Sequence, residues 1–363
     1  MRLILIQLAR LLAALVALYA ALLALSLLVP RYHAQQALNS GNASSSLYMT
    51  EPKYVFFARG QLNSNADKVL LLGASNMLVG FKQPQVQALL PQIEVDNISV
   101  SGSNISQLAQ VVQLVREVQS PEARRHNTYV LGLWYGLFAA DEVRWNTPDR
   151  HAGDTDIDIE RYRYGFYRRG ESGPIAVLPP EQLALGALLI HPCLVLDRVG
   201  RDLTRSLRDF RAGKEPLLSD AQYDAKLIGE EEKRQRLAFW HSTLGPANAF
   251  DDASFSALTR LVDGIVAEGG HVVLVDLPIP SWHANGSALA VDYRRHMDAL
   301  LPRLDAQAGV TTLKLAEADD EFIDEVHPKP RAALRWAQRL AAALTTAPPA
   351  LHEPPGAILG NVR

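Results

Sequence analysis

Cysteine is almost absent from this chain, since Cys193 is the only one in 363 residues. A single thiol makes an internal disulfide impossible and rules out a cysteine-rich metal site. Histidine offers no replacement, because most of the ten histidines are scattered without the spacing of metal ligands. A phosphate-binding loop is missing as well. The sequence therefore predicts neither a metal nor a cofactor.

An excess of charge is also lacking, because 36 lysines and arginines face 39 aspartates and glutamates, for a net charge of −3. A balanced chain gives no electrostatic reason to expect a nucleic-acid partner, and we expect none. Hydrophobic residues make up 48% of the chain, enough to fill a core. The length allows one large domain or two modest ones.

One long hydrophobic run stands out, from Leu11 to Val29, and it contains no charge. Its length of about 28 Å as a helix is close to the hydrocarbon thickness of a bilayer. Arg2 and Arg10 precede it, so the positive-inside rule predicts a cytoplasmic N-terminus and a remainder outside the cytoplasm. The alternative is a signal peptide cleaved near residues 32–34. Signal cores are usually about 7–15 residues long, which favours an uncleaved anchor.

The chain divides by composition into successive segments. Residues 1–34 are the predicted anchor, and the polar residues 35–66 are typical of a linker. Residues 67–345 form the predicted α/β domain, interrupted by an irregular insertion at 141–252 that should fold on itself as a cap or subdomain. The proline-rich residues 346–363 are predicted to be a disordered tail.

Strands and helices alternate within the α/β domain. The predicted strands are Val69–Leu72, Ile93–Val100, Tyr129–Leu133, His271–Asp276 and Thr311–Leu315. The predicted helices are Gln83–Leu90, Ile105–Val118, Ser254–Glu268, Ala288–Gln307 and Pro330–Leu344, with two more in the insertion near 181–211 and 220–240. Such alternation predicts a parallel sheet covered by helices on both faces.

Polar and aromatic residues follow the predicted strands at their carboxyl ends. Ser75 follows the first strand, and Asp324 and His327, three positions apart, follow the fifth. Because the carboxyl ends of parallel strands share one edge of the sheet, Ser75 and His327 can meet despite their separation in sequence. A serine, a histidine and an aspartate are the three groups of an activated-serine site.

Each of these residues also has a purely structural explanation. Ser75, Asn104 and Asp324 are helix-capping types, and Gly102 suits a turn. His327 lies in a polar loop before a proline, where a solvated histidine is common. Taken together, the order of serine, glycine with asparagine, and Asp-x-x-His in one alternating fold favours a site. No Gly-x-Ser-x-Gly elbow surrounds Ser75, which disfavours an α/β-hydrolase version of that site.

This order of residues resembles the SGNH hydrolases, also called the GDSL-like family. That family has a serine after the first strand, a glycine after the second, an asparagine after the third and Asp-x-x-His near the C-terminus. Gly73-Ala74-Ser75-Asn76 matches the first block in position, Gly102 the second, and Asp324 with His327 the last. The third block departs, because Leu131-Gly132-Leu133-Trp134-Tyr135-Gly136 contains no asparagine.

The resemblance implies an α/β fold class, a flavodoxin-like three-layer α/β/α sandwich with a parallel sheet of about five strands, here with an N-terminal transmembrane helix and a long insertion. It implies Ser75 as nucleophile, His327 as base and Asp324 as its partner. The implied oxyanion donors are the N–H groups of Ser75 and Gly102, with Asn104 as a candidate replacement for the missing asparagine. Three aromatic residues at strand ends either stack on a sugar ring or pack in the core: Trp134, Tyr135 and Trp282.

The anchor, the linker, the variant first block and a Pro-x-Pro-x-Trp loop after the fourth strand narrow the resemblance. The chain looks like the anchored SGNH proteins that assist in acylating cell-envelope polymers, of the teichoic-acid D-alanylation and alginate O-acetylation type. This implies a serine acyltransferase or esterase acting on O-acyl groups, above all acetyl, of an exported polysaccharide. It also implies an acyl donor, a multi-span membrane O-acyltransferase as partner, and a single-pass location in a bacterial inner membrane with the catalytic domain in the periplasm or outside the cell. Two alternatives are a non-catalytic scaffold of the same fold and an anchored lipase or thioesterase.

Overall fold

The computed structural model describes residues 2–28, 62–100, 102–138, 167–171, 173–211, 219–244, 250 and 252–346. Most of the predicted linker (35–66), part of the insertion and all but the first residue of the predicted tail (346–363) lie outside the described residues. Folded structure begins by residue 62, inside the segment predicted as linker. Leu62 is fully buried, and its carbonyl accepts a hydrogen bond of 2.7 Å from Gln119 Nε2.

A parallel sheet of five strands organises the α/β part, in the order β2-β1-β3-β6-β7. Its strands are β1 (Lys68–Leu72), β2 (Glu94–Asn97), β3 (Asn127–Leu133), β6 (His271–Asp276) and β7 (Val310–Lys314). The antiparallel hairpin of β4 (Tyr167–Gly170) and β5 (Gly173–Ala176) is separate from this sheet. The predictions of an α/β class and of five parallel strands are therefore confirmed.

The described helices follow the sequence pattern closely. Four were not predicted from the sequence or were predicted as part of a longer helix, and all four are short: α2 (Ser75–Gly80), α5 (Pro121–Arg125), α7 (Asp220–Ala225) and α10 (Ser281–Gly286). The longer ones are α1 (Arg2–Ser26), α3 (Gln83–Leu89), α4 (Ile105–Val118), α6 (Pro180–Arg211), α8 (Glu230–Leu244), α9 (Asp252–Ala267), α11 (Ala288–Asp305) and α12 (Pro330–Thr346).

Two glycines allow α2 to pack directly on the sheet. A Cβ at Gly73 would lie 2.8 Å from Met77 Cβ, and a Cβ at Gly132 in β3 would lie 2.7 Å from Met77 Sδ. Contacts that short do not occur between real side chains, so a methyl group at either position would push α2 away. The two glycines thereby hold the start of α2, with Ser75, close to the carboxyl ends of β1 and β3.

The N-terminal helix α1 is, within the described part of the chain, the one helix long and apolar enough to cross a membrane. It ends at Ser26, where it contacts α6 of the insertion. Ser26 Oγ donates to the Leu23 carbonyl (2.8 Å), so the His191 Nδ1–H of α6 donates to Ser26 Oγ at 2.9 Å. The predicted apolar N-terminal helix is present, and part of the insertion packs on its end.

Candidate active site

Ser75 is the first residue of α2, immediately beyond the carboxyl end of β1. The N-cap position belongs to Ala74, and no side chain makes a capping hydrogen bond there. The capping explanation for Ser75 is therefore wrong. Its side chain is partly exposed at the edge of the sheet, whereas its neighbours Ala74 and Asn76 are fully buried. The hydroxyl is thus fixed by buried residues on both sides and remains accessible.

The structure brings Ser75, His327 and Asp324 together in one hydrogen-bonded chain. Ser75 Oγ lies 2.8 Å from His327 Nε2, and His327 Nδ1 lies 2.7 Å from Asp324 Oδ2. A carboxylate only accepts, so Nδ1 carries the proton and donates to Asp324, while Nε2 accepts from the Ser75 hydroxyl. Both distances are within the range in which a base activates a serine nucleophile.

Asp324 is held by the loop it belongs to. Its other oxygen, Oδ1, accepts the backbone N–H groups of Val326 (3.0 Å) and His327 (2.8 Å). The ends of this segment, Phe322 and Pro328, form an antiparallel bridge. We call residues 322–328 the catalytic loop. The alternative that Asp324 caps the last helix is wrong, because its carboxylate turns back onto its own loop.

The two titratable groups shift each other's pKa in opposite directions. Burial alone would raise the pKa of Asp324, but the facing His327 and the two backbone N–H groups lower it well below its ordinary range. Burial alone would lower the pKa of His327, but the Asp324 carboxylate outweighs it and raises that pKa above its ordinary value. The aspartate therefore stays ionised and stabilises the imidazolium that forms when His327 takes a proton.

The loop after β2 contacts the same edge. Gly73 O, two residues before Ser75, accepts Val100 N–H (3.0 Å) and Ser103 O–H (2.9 Å). Between them Gly102 has φ +70°, a conformation that favours glycine. Asn104 is the N-cap of α4, and its side chain accepts Gln107 N–H at 3.0 Å. The capping explanation for Asn104 is correct, and its part in an oxyanion hole stays a prediction.

The three aromatic residues at strand ends differ in exposure. Trp134 and Tyr135 are 2% and 1% exposed, so neither ring offers a face to solvent. They pack with Trp240 of α8, at ring-centroid distances of 5.3 and 6.5 Å. Trp282 is partly exposed and stacks on His283 at 5.6 Å. Of the three, Trp282 alone combines a strand-end position with an accessible ring.

Sequence reasoning missed His283, which is fully buried beneath the catalytic loop. Its Nδ1–H donates to the Glu325 carbonyl (2.8 Å), and the Tyr135 hydroxyl donates to its Nε2 (2.6 Å). Burial lowers the pKa of His283, which keeps the imidazole neutral in this arrangement. The buried histidine therefore fixes the backbone one residue after Asp324. Its strand-end position, beside Trp282, was the only signal in the sequence.

The insertion also holds the catalytic loop, through helices α7 and α8. Glu325, 7% exposed, is bound by Arg236 Nη1 and by Trp240 Nε1–H, the latter at 2.8 Å. Lys226, next to α7, donates to the Ile323 carbonyl at 3.0 Å. No spacing in the sequence could have found these contacts, because they join the insertion to a loop about ninety residues further on.

Among the described residues, no group of three or more histidine, cysteine or carboxylate side chains is close enough together to hold a metal ion. No protein-family model matches the chain, and no curated protein matches it either. The geometry of the site is therefore the main evidence for its function.

Proposed function

We propose that this protein is a membrane-anchored serine acyltransferase or esterase of the SGNH type, acting outside the cytoplasm on O-acyl groups, above all acetyl, of a cell-envelope polysaccharide. The single observation that carries the proposal is the hydrogen-bonded chain Ser75–His327–Asp324 at the carboxyl edge of a parallel sheet. That arrangement has one well-understood chemical use, the activation of a hydroxyl for attack on an acyl carbonyl.

In the first half-reaction Ser75 Oγ attacks the carbonyl carbon of the acyl donor, and His327 Nε2 takes the hydroxyl proton. The tetrahedral intermediate collapses as the bond to the leaving oxygen or sulfur breaks, and His327 returns the proton to that atom. In the second half-reaction His327 removes a proton from a sugar hydroxyl, whose oxygen attacks the acyl carbon. The bond from that carbon to Ser75 Oγ then breaks, and His327 returns the proton to Ser75. Water in place of the sugar makes the same site an esterase.

The negative charge of the intermediate needs donors beside Ser75. The first N–H groups of a helix have no partner within it, so the Ser75 N–H is suited to this use. The Gly102 N–H and the Asn104 amide are the other donors in the proposal. Removing one donor of this kind typically costs about 3–4 kcal/mol of transition-state stabilisation.

The finer features of the fold and location belong to the same proposal. The order β2-β1-β3-β6-β7 becomes 2-1-3-4-5 when the parallel strands alone are numbered along the chain. That order supports a flavodoxin-like α/β/α sandwich interrupted by the insertion. The apolar helix α1 supports a single-pass anchor in a bacterial inner membrane, with the catalytic domain on the periplasmic or outer side. An anchored transferase needs a supply of acyl groups, and a multi-span O-acyltransferase in the same membrane is the proposed supplier.

The decisive experiment compares the full chain with Ser75→Ala on a small acetyl ester and on an acetylated glycan. The rate above the uncatalysed reaction should fall at least about a thousandfold, because the nucleophile is gone. Ser106→Ala, on the partly exposed face of α4, is the matched control and should retain wild-type rates. Ser75→Ala with full activity would refute the mechanism.

The same assay separates the remaining alternatives. A wild-type chain with no acyl-transfer or hydrolytic activity on any ester would favour the scaffold interpretation. Preference for a long-chain ester over an acetylated glycan would favour an anchored lipase. The partly exposed ring of Trp282 supports a sugar ligand, since a planar indole can stack on a pyranose face.

A further inference from the structure

An unusual surface feature lies on α6 of the insertion, far along the chain from the catalytic loop. Six large apolar side chains form a stripe along it: Leu185, Leu189, Leu196, Leu203, Leu207 and Phe210. Their exposed fractions run from 45% at Leu189 to 84% at Phe210. At about 100° per residue the six lie within about 40° of a common direction, and Pro192, which is buried within α6, lies on the same face between Leu189 and Leu196. This many large exposed apolar side chains on one helix face are unusual on a soluble protein and indicate a surface that is covered.

The other sides of α6 make its contacts with the described part of the protein. Ile190 and Val195, on other sides of the helix, pack against the hydrophobic core. His191, 7% exposed, bonds to Ser26 at the end of α1. The helix is therefore held from behind by the folded domain and by α1, and the apolar stripe faces outward.

The contact with α1 indicates what covers the stripe. The Tyr19 hydroxyl donates to the Leu189 carbonyl, and His191 bonds Ser26, so α6 meets the last two turns of α1. Two turns are about 10 Å of helix, which is the depth of the headgroup and acyl boundary at one side of a bilayer. Leu189 also lines an apolar groove with Leu15 and Leu22 of α1. The stripe is thus continuous with the surface of the helix that can cross the membrane.

The basic residues near the end of α6 are also typical of a helix that contacts a membrane. Arg208 and Arg211 lie in the last turn and are exposed, Arg211 next to the stripe and Arg208 on another side of the helix. An apolar face flanked by basic residues is typical of helices that lie in the plane of an anionic membrane surface. We propose that α6 is an interfacial helix, whose apolar stripe is inserted among the headgroups and upper acyl chains of the bilayer that α1 crosses. This inference does not depend on the chemistry at Ser75.

The test uses the full chain with its only cysteine removed (Cys193→Ser) and a single new cysteine labelled with an environment-sensitive fluorophore. Leu203→Cys puts the label in the stripe. Arg208→Cys puts it on another side of the same helix, and Arg234→Cys puts it on α8, where the native side chain is 72% exposed. Each protein is reconstituted into phosphatidylcholine and phosphatidylglycerol vesicles that contain lipids with a nitroxide on the acyl chain.

We expect the Leu203→Cys label to be quenched several-fold more than the two controls, with emission at shorter wavelength. Adding Leu196→Glu and Leu207→Glu to the Leu203→Cys chain should reduce its quenching to the level of Arg234→Cys, while the thermal unfolding of the chain stays unchanged. Equal, weak quenching at all three labelled positions would overturn the proposal. Disulfide-linked dimers through Leu203→Cys without lipid quenching would overturn it too, and would assign the stripe to a second copy of the chain.

Discussion

At the scale of single residues, the orientation of His327 depends on Asp324. The carboxylate accepts the Nδ1–H of the ring at 2.7 Å and two backbone N–H groups of its own loop. These bonds select the tautomer that leaves Nε2 free to accept the Ser75 proton. The site is therefore set up before any substrate binds.

Asp324→Asn should preserve the loop and abolish most of the activity. The amide fits the same space, and its oxygen can still accept the backbone N–H groups. Its NH₂ group, however, favours the imidazole tautomer in which Nε2 carries the proton. We expect the rate of ester hydrolysis to fall by about 10³–10⁴-fold with little change in the unfolding temperature. A variant within tenfold of wild type would contradict this role for Asp324.

The raised pKa of His327 predicts the pH dependence of the reaction. The imidazole acts as a base only when it is neutral, and the Asp324 carboxylate keeps it protonated to higher pH than usual. Activity should therefore rise with pH along a limb centred above about 6.5, the ordinary histidine value. The midpoint should move to lower pH in Asp324→Asn, measured as its residual kcat/KM. A wild-type midpoint below the ordinary value would contradict the assignment.

The sequence predicted that Ser75, Asp324 and His327 would meet because each follows a strand, and strand ends in a parallel sheet converge. It did not predict His283, since a strand-end position alone does not distinguish a buried histidine bound to a carbonyl from a solvated one. The burial of Trp134 and Tyr135 was equally hard to predict from the sequence. They were candidates for sugar stacking, and whether a strand-end aromatic is exposed depends on Trp240, which comes from the insertion.

At the scale of elements, α8 acts as a clamp on the catalytic loop. Arg236 and Trp240 lie four residues apart, so they share one face of α8 and reach the same Glu325 carboxylate. Glu325 lies between Asp324 and His327 in sequence. The position of this helix therefore bears directly on the segment that holds Asp324 and His327.

Arg236→Met should weaken the attachment of the catalytic loop to α8. It leaves Glu325, whose side chain is 10% exposed, without its charged partner, at a cost of about 1–3 kcal/mol of unfolding free energy. Arg236 also lowers the pKa of His327, so its removal should shift the activity limb to higher pH and reduce kcat. Arg234→Met is the matched control. Its side chain is 72% exposed and pairs with Glu231 on the surface, so stability and pH profile should not change.

If Arg236→Met lowers stability but leaves the pH limb and kcat unchanged, α8 is a structural support and not a positioning element. Thermal unfolding and the pH profile of each variant distinguish the two roles.

The bounds of the helices and strands were easier to predict than the contacts between them. Helix α4 and strand β6 have the predicted bounds, because capping by Asn104 and a run of apolar residues are local signals. The short helices α2 and α10 were missed, since six residues carry too little periodicity to recognise. The docking of α7 and α8 was beyond the sequence, because it depends on how the chain returns to the sheet after the insertion.

At the scale of the whole molecule, α1 predicts how the protein behaves in a cell. The intact chain should sediment with membranes, resist extraction by high salt and alkaline wash, and be released by detergent. Alkaline phosphatase fused after Arg363 should be active, because that enzyme needs an oxidising compartment outside the cytoplasm. An inactive phosphatase fusion together with a fluorescent cytoplasmic reporter fusion would reverse the proposed orientation.

The hydroxyl and the imidazole of the site are 252 residues apart in the chain. Chains are made from the amino end, so a growing polypeptide contains Ser75 long before it contains His327. A copy that ends before residue 327 has the hydroxyl and lacks the imidazole that contacts it. Under the proposed mechanism, the chain therefore gains its activity only when synthesis and folding have reached this last loop.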